Sequence, residues 1–487
     1  MSPLLLLLIL LLPLAIFLAD GNWRDSLIYS VVIGFLQDPL RKITPNQPSL
    51  YVGLVLIGVV LTALLLYSRT GRLSLDPLFS GDRQLIGVVE VFIALLLLQI
   101  LNSFLNLGSI TLTMVGAGFY FAPLIALWLG YQFALKPASV LRFVRIYLFM
   151  ALAFAFTLFL SFRGVNSALF KEVGAGLLIN FAELGTMQQG YVGLWRSSEI
   201  AAWHLATACC FLLILAVSSR RSNLITIAGI VVLALLVLSS VTGRRKVLTL
   251  VTSFVGFYSL LIALRGDSRI RGNVLAGFGG VGLLLSLLIS FGANPADSGT
   301  LGGFVRRTIS VWESVDERLQ NVGFSTIGAA LEAAGPFGFG VGAAAQGAAS
   351  LGIRVNQATW AAEGGFGKIS AELGLAGIAI FAMIIVLLSL LYWRIIGQLR
   401  FAPPSYSLLN LGLLSFLAAN LPNFAVASQA YGDPFILSLL GLSAGFVLAS
   451  PTVLSAHLQA QQPPPLPEDG NGLPSSSPQP SPPGGRP

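Results

Sequence analysis

The chain has 487 residues, of which 55% are hydrophobic and only 10% are charged, and its mean hydropathy is +0.83. This composition excludes a soluble globular protein, because helices that are apolar on every side would expose apolar surface to water. The net charge of +8 is compatible with an anionic partner. An excess of basic residues is ordinary in membrane proteins, however, so the net charge is weak evidence for such a partner.

Apolar runs recur along nearly the whole chain. About 18 or more such residues can cross roughly 30 Å of hydrocarbon as a helix. The runs predicted to do so are 2–19, 49–67, 85–106, 109–132, 140–162, 199–219, 223–242, 247–265, 273–292, 368–392, 406–427 and 432–450. The first lacks a basic region and a small-residue cleavage site, which favours a span over a signal peptide. The predicted fold is an all-α, polytopic membrane bundle.

One shorter apolar block, 26–37, leaves the number of helices at 12 or 13. It is brief for a span, so a tilted short helix and a re-entrant segment both stay open. The transmembrane domain is predicted to cover residues 1–450. The Pro-, Ser-, Gly- and Gln-rich tail, 451–487, is predicted to be disordered, because it cannot bury enough apolar surface to offset its chain entropy.

Five basic connections alternate along the chain and predict its orientation. They contain Arg69, Arg72 and Arg83; Lys136, Arg142 and Arg145; Arg220 and Arg221; Arg265, Arg269 and Arg271; Arg394 and Arg400. The positive-inside rule places these connections in the cytoplasm. The tail is then also cytoplasmic, and the long loops 163–198 and 293–367 are extracytoplasmic.

One short connection departs from this pattern. Thr242-Gly243-Arg244-Arg245-Lys246 places three cations on the extracytoplasmic side. One interpretation is a topology error or a helix C-terminus that favours cations. The other is an anion site, because arginine can hold phosphate through two parallel hydrogen bonds.

Known soluble-enzyme motifs are missing from the sequence. It contains no Walker A loop, no HExxH, no CxxC pair and no GxSxG elbow. The two histidines are His204, in an apolar run, and His457, in the tail, and the adjacent Cys209 and Cys210 share one run. The sequence therefore predicts no metal, no cofactor and no nucleic-acid partner. Arginines, carboxylates and backbone amides remain as the groups for chemistry.

The loop 293–367 is the strongest candidate for a functional region. Its arginines are Arg306, Arg307, Arg318 and Arg354, and together with Arg244 and Arg245 they suit a diphosphate. Gly338, Gly340 and Gly342 permit positive φ and close backbone approach, so their N–H groups are candidates for an anion-binding nest. The alternative is that these glycines only allow tight packing. In the span 85–106, Glu90, Gln99 and Asn102 either line a groove or lock helices together.

Several of these pieces, in this order, resemble the O-antigen ligase/polymerase superfamily. The matching segments are Gly193-Leu194-Trp195, Thr242-Gly243-Arg244-Arg245, Arg318 before Gly338-Phe339-Gly340-Val341-Gly342, and Ala371-Glu372-Leu373-Gly374-Leu375-Ala376-Gly377. The resemblance covers roughly residues 190–390. It departs from the family at Glu363, where members often carry a histidine.

The resemblance implies a glycosyltransferase of the bacterial inner membrane whose donor is a polyprenyl-diphosphate-linked oligosaccharide. Arg244, Arg245 and Arg318 would stabilise the leaving diphosphate, and Glu363 would position or deprotonate the acceptor, while Glu372 and Gly374 belong to the motif that opens the next helix. Membrane lipid and other polysaccharide-assembly proteins are the implied partners. The histidine replacement favours a polymerase over a ligase. A transporter of lipid-linked glycans is the competing hypothesis.

Overall fold

The structure is a computed structural model that describes residues 3–71, 75–173, 179–181, 186–188, 190–265, 319–345, 364–426 and 429–461, together with the single residues 272, 279, 282 and 304. Its regular structure in these ranges is helical, apart from one short antiparallel hairpin. In that hairpin β1 (Ile179–Phe181) pairs with β2 (Thr186–Gln188). The predicted polytopic helical bundle is confirmed.

The helices follow the apolar runs. In chain order they are α1 (Pro3–Ala19), α2 (Trp23–Ile43), α3 (Leu54–Thr70), α4 (Arg83–Leu107), α5 (Ile110–Ala134), α6 (Pro137–Phe162), α7 (Ser198–Ser219), α8 (Ser222–Ser240), α9 (Lys246–Arg265), α10 (Ser325–Ala334), α11 (Gly365–Leu399), α12 (Pro404–Val426), α13 (Pro434–Leu448) and α14 (Ser450–Gln461). Short 3₁₀ segments lie at Ser49–Gly53, Ala168–Phe170 and Ala430–Gly432, and a π-helical turn covers Leu319–Phe324.

Within the described ranges, ten helices are long and apolar enough to cross a membrane. They correspond to ten of the twelve predicted runs. The first run forms α1, an apolar helix of 17 residues, and the run 273–292 lies outside the described residues. The chain is therefore a multi-pass membrane protein by the length and composition of its helices.

The block 26–37 belongs to a helix longer than its apolar run. Helix α2 has 21 residues because the charged segments on both sides of the block are helical too. Near its start Asp25 binds Arg142 at 2.6 Å. Near its end the Lys42 ammonium donates to the carbonyls of Leu169 and Gly193, both at 2.8 Å. These partners allow the charged turns to stay helical inside the bundle.

The bundle has two chemically different ends. At the first, which we call the basic end, Arg142 meets Asp25, Arg394 meets Asp82 at 3.1 Å, and Arg400 donates to the Leu264 carbonyl at 3.4 Å. Three of the predicted cytoplasmic connections therefore share one end, as their alternation requires. The opposite end carries Lys42, the turn between α8 and α9 (residues 241–245, the α8–α9 turn) and the glycine turn 335–345, and we call it the motif end.

The start of the predicted disordered tail is helical, which corrects the sequence prediction. Residues 451–461 lie in α14, directly after α13. The helix continues because it still finds contacts with the bundle: the hydroxyls of Thr452 and Tyr131 are 3.0 Å apart, and Leu454 is buried. Residues 462–487 lie outside the described residues.

Helix α7 forms the centre of the molecule, and nearly all its side chains are buried. His204 lies in an aromatic cluster there, with its Nδ1 2.8 Å from the Tyr147 hydroxyl and its ring stacked on Trp195. The rings of Phe35 and Phe435 pack against it from α2 and α13. His204 is a core residue in this arrangement, which holds the N-terminus of α7 at the motif end.

Candidate functional site

The α8–α9 turn places two cations against a carboxylate of α7. Glu199 lies in the first turn of α7 and accepts from the Lys246 ammonium, and its other oxygen is 3.3 Å from the Arg244 guanidinium. The Arg244 Nε also donates to the Ser198 hydroxyl at 3.1 Å. The Glu199 side chain is only 9% exposed and that of Arg244 16%. We call Glu199, Arg244 and Lys246 the cation cluster; their formal charges sum to +1.

A small cleft with a mostly apolar lining lies beside the cation cluster, between α7, α9 and the end of α12. The residues lining it that carry polar or aromatic groups are Glu199, Trp203, Lys246, Asn423 and Tyr431. The Asn423 amide oxygen accepts from Thr249 at 2.8 Å, which fixes α12 against α9. The polar groups of this lining already have partners in the protein: Trp203 Nε1 and the Tyr431 hydroxyl donate to the Asn420 amide oxygen at 3.0 and 2.9 Å.

A second set of ions lies between α2 and α13 at the same end. Arg196 binds Asp38 at 3.5 Å and Asp433 at 2.5 Å, and its backbone N–H donates to Asp38 as well. Asp433 also caps α13 through the N–H groups of Phe435 and Ile436. Burial by itself lowers the pKa of Arg196, but the two carboxylates raise it more, so the net shift is upward. This closed arrangement joins the segment that precedes α7 to α2 and to the start of α13.

The glycine turn 335–345 packs into the helices rather than standing away from them. On one side it meets α4: Gln99 Nε2 donates to the Phe337 carbonyl at 2.7 Å, and Asn102 Nδ2 donates to the Gly338 carbonyl at 3.1 Å. The Ser103 hydroxyl donates to the Val341 carbonyl at 2.7 Å. Gln99 and Asn102 therefore lock the turn in place. Glu90 is exposed and makes no hydrogen bond or ion pair with the described residues.

On its other side the turn completes an interrupted helix. Gly374 has φ 68° and ψ −161°, so α11 breaks there. The turn satisfies the freed backbone groups: Gly340 N–H donates to the Glu372 carbonyl at 3.0 Å, and Leu375 N–H donates to the Pro336 carbonyl at 2.9 Å. The buried Glu372 carboxylate accepts from the Tyr120 hydroxyl at 2.6 Å and from the Ala344 N–H at 3.0 Å.

This geometry favours the packing interpretation of the three predicted glycines. Each has positive φ, and a Cβ on Gly338, Gly340 or Gly342 would lie within 2.7 Å of backbone on α11, α4 or α5 respectively. The N–H groups of Gly338 and Gly340 already donate to carbonyls of the protein. These two amides do not form the predicted anion nest, because the turn uses them to fit between helices.

Five of the predicted site residues, Arg306, Arg307, Arg318, Arg354 and Glu363, lie outside the described residues. Their described neighbours lie at the motif end. A Cβ on Gly364, which follows Glu363, would be 2.3 Å from the Val322 carbonyl and 2.6 Å from that of Ala425. Of the remaining predicted residues, Arg244 belongs to the cation cluster, Arg245 is its half-buried chain neighbour, and Glu372 and Gly374 contact the glycine turn.

Several polar residues of this end are not among the predicted site residues: Asp38, Arg196, Glu199, Asn423 and Asp433. A signal for them exists in the sequence, because each lies where an apolar run begins or ends. Glu199 is the first residue of the predicted run 199–219, and Asp433-Pro434 is a typical helix start. The local sequence does not determine which of these helix ends lie next to each other, so only the tertiary structure shows which residues pair.

No group of three or more His, Cys, Asp or Glu side chains suited to a metal ion occurs among the residues that the structure describes. Comparison with protein-family models and with curated proteins finds no match to this chain.

Proposed function

We propose that this protein is a membrane glycosyltransferase that polymerises or transfers polyprenyl-diphosphate-linked oligosaccharides at the extracytoplasmic face. The polymerase is preferred over the ligase because Glu363 replaces the usual histidine. The proposal joins the ordered resemblance of residues 190–390 to the arrangement of the motif end. The protein would lie in the bacterial inner membrane.

The observation that carries the proposal is the position of Arg244. This residue belongs to the T-G-R-R motif, and it lies, largely buried, against Glu199, which together with Lys246 lines the small cleft. The contacts of α12 extend from this cleft to α11: Asn423 binds Thr249, and the next residue, Phe424, packs against Gly365. Helix α11 in turn holds Glu372 and the glycine turn. Three of the four described motifs of the resemblance thus belong to one contiguous set of elements.

The reaction needs only charge stabilisation and one proton transfer. An acceptor hydroxyl attacks the anomeric carbon, the bond from that carbon to the diphosphate oxygen breaks, and the lipid diphosphate leaves with the electron pair. Arg244 and Lys246 would balance the charge that develops on the leaving group, a large contribution to such catalysis. Glu363 would take the hydroxyl proton. The donor arrives already activated, so no nucleotide sugar is required.

The proposal is tested with the purified chain in nanodiscs. A polyprenyl-diphosphate oligosaccharide is supplied, and the products are separated on a gel. We expect a ladder of polymer from the parent and a rate at least about a hundredfold lower from Arg244→Gln, because one charge-stabilising donor is worth that much. Arg394→Gln is the matched control: this arginine is exposed and pairs with Asp82 at the basic end.

Two outcomes would overturn the proposal. One is a lipid-linked oligosaccharide that stays unchanged with every acceptor supplied. The other is an equal ladder from the Arg244→Gln variant. The competing transporter hypothesis draws on the break of α11 at Gly374, since interrupted helices are common in carriers. Unchanged donor that crosses from one side of a proteoliposome to the other would favour it.

A further inference from the structure

Arg244 is held by two neighbours in the first turn of α7. Its Nε donates to the Ser198 hydroxyl at 3.1 Å, and its Nη1 lies 3.3 Å from the Glu199 carboxylate. A guanidinium is planar and presents its N–H donors in a fixed fork. Contacts at two of its nitrogens therefore fix the tilt of the whole plane, and Ser198 supplies one of these contacts.

The Ser198 hydroxyl joins Arg244 to a second carboxylate. It donates to Oε1 of Glu172 at 3.3 Å, and the same oxygen accepts from the Ser198 N–H at 3.0 Å. A hydroxyl has one hydrogen to donate, whereas a carboxylate can only accept and an arginine nitrogen can only donate. The hydrogen of Ser198 therefore points to Glu172, which leaves its lone pairs for Arg244. Because Ser198 is fully buried, bulk water does not compete for either contact.

Backbone contacts bring Glu172 and the α8–α9 turn to the start of α7. The N–H of Val173, the residue after Glu172, donates to the Arg196 carbonyl at 2.8 Å. The Tyr191 N–H donates to the Val241 carbonyl of the turn at 3.1 Å. The carboxylate and the turn are thus each tied to the segment that precedes α7 by contacts that do not involve the arginine side chain.

Capping of α7 does not by itself account for Glu172. The N-cap of this helix is Ser197, whose hydroxyl accepts from the Ile200 N–H at 3.4 Å. A carboxylate near a helix N-terminus does stabilise the helix dipole, but that effect requires no contact with the Ser198 hydroxyl. This contact connects the charge of Glu172 to Arg244 through a single hydroxyl, and hydrogen bonds in such a chain strengthen one another.

We propose that Glu172, acting through Ser198, is a positioning residue for Arg244. This inference rests on the proposed function, in which Arg244 stabilises the leaving diphosphate. The carboxylate orients the hydroxyl, and the hydroxyl holds the guanidinium at Nε, so the plane keeps one orientation while charge develops on the leaving group. Donors that are already in place need no reorganisation at that moment, and a small misplacement can lower a rate about a hundredfold.

The test is a double-mutant cycle in the ladder assay, with the full chain in nanodiscs. Ser198→Ala should lower the initial rate about tenfold, because a hydrogen bond to a charged group is lost. The same change combined with Arg244→Met, which leaves no N–H donor on that side chain, should alter the residual rate by less than about twofold. A loss of equal size in both backgrounds would show that Ser198 does not act through Arg244 and would overturn the proposal.

Ser197→Ala is the matched structural control, because it removes the cap of the same helix and leaves the contact between Glu172 and Ser198 in place. Each alanine variant loses a hydrogen bond at the start of α7, so we expect both to lower the midpoint of thermal unfolding. Only Ser198→Ala should lower the rate. If Ser197→Ala lowers the rate as much, general destabilisation of α7 explains the result and the positioning role is wrong.

Variants of Glu172 give a second comparison, which also serves if Ser198→Ala does not fold. Glu172→Ala should lower the rate about tenfold, and it should leave the residual rate of Arg244→Met unchanged. Glu172→Gln should keep most of the parent rate, because its amide oxygen can still accept from the Ser198 hydroxyl and N–H. Equal losses from Glu172→Gln and Glu172→Ala would overturn a role in orienting the hydroxyl.

Failure of this inference is distinct from failure of the proposed function. A parent that makes no ladder and transfers nothing to any supplied acceptor overturns both. A parent ladder, together with parental rates from Ser198→Ala and Glu172→Ala, overturns the positioning role alone.

Discussion

The charged residues of the motif end show why a basic motif alone does not establish an anion site. The Glu199 carboxylate balances part of the positive charge of Arg244 and Lys246. A buried ion pair of this kind fixes geometry more than it adds stability. The carboxylate therefore holds both cations in fixed positions beside the cleft.

Removing the Glu199 carboxylate should destabilise the protein. Glu199→Ala leaves two largely buried cations without their counter-ion, and the loss of one partner from a buried pair costs about 3–5 kcal/mol. The expected result is a clearly lower midpoint of thermal unfolding in nanodiscs. Asp25→Asn is the matched control, because its partner Arg142 is 58% exposed and exposed pairs contribute about 1 kcal/mol or less. Similar midpoints for the two variants would contradict this account of the cluster.

At the scale of elements, the glycine turn and the broken helix α11 form one unit. Neither element satisfies all of its backbone N–H and C=O groups internally. The turn donates to the Ala371 and Glu372 carbonyls, and the second part of α11 donates to the Pro336 carbonyl. Buried backbone groups need such partners inside a membrane, where no water is available. The G-x-G-x-G spacing is thus explained by contact with α4, α5 and α11.

Adding one methyl group within this unit should be costly. In Gly340→Ala the new Cβ would lie 2.3 Å from the Ser103 backbone N, and the residue keeps a φ of +95°. We expect the strain of positive φ, about 1–2 kcal/mol, and in addition a steric cost of roughly 1–3 kcal/mol from overpacking. The measurement is the unfolding midpoint against that of the parent.

Gly81→Ala separates these two contributions. Gly81 also has positive φ, +72°, but a Cβ there would meet nothing within 4 Å. The control should therefore show the backbone strain without the steric cost. If both variants unfold at the same temperature, the turn is not held tightly between the helices.

At the scale of the whole molecule, the division into two ends follows from the alternation of basic connections. Arg394 and Arg400 gather with the ends of α9 and α4 at the basic end. The cation cluster, the Arg196 ion pairs and Lys368 lie toward the motif end. With the positive-inside rule, this separation predicts that the basic end is cytoplasmic and the motif end extracytoplasmic.

Cysteine labelling of intact cells tests that orientation. The native Cys209 and Cys210 are buried in α7, so they should not react. A membrane-impermeant maleimide should label Lys171→Cys in intact cells, because residue 171 lies exposed at the motif end. Phe401→Cys, at a position 79% exposed in the α11–α12 connection, should react only after the cells are opened. The reverse pattern would invert the topology.

The sequence by itself determined the class of protein and the positions of ten spans. Its alternating basic connections also predicted which helix ends share the basic end of the bundle. These are local properties, since about 20 consecutive apolar residues suffice to define a crossing. It also gave the motif that contains Arg244. It did not determine that α2 is helical through its charged ends, or that the chain continues as helix past residue 451.

Only the tertiary structure decided which polar groups meet. Ser103 and Val341 are separated by 238 positions and Tyr120 and Glu372 by 252, yet each pair is joined by a hydrogen bond of 2.7 Å or less. Glu199 becomes the partner of Lys246, and Lys368 lies over the ring of Phe119. A polar side chain at the end of an apolar run is equally compatible with many neighbours. Its partner is set by how the helices pack, because the free energy of a buried charge depends on what surrounds it in space.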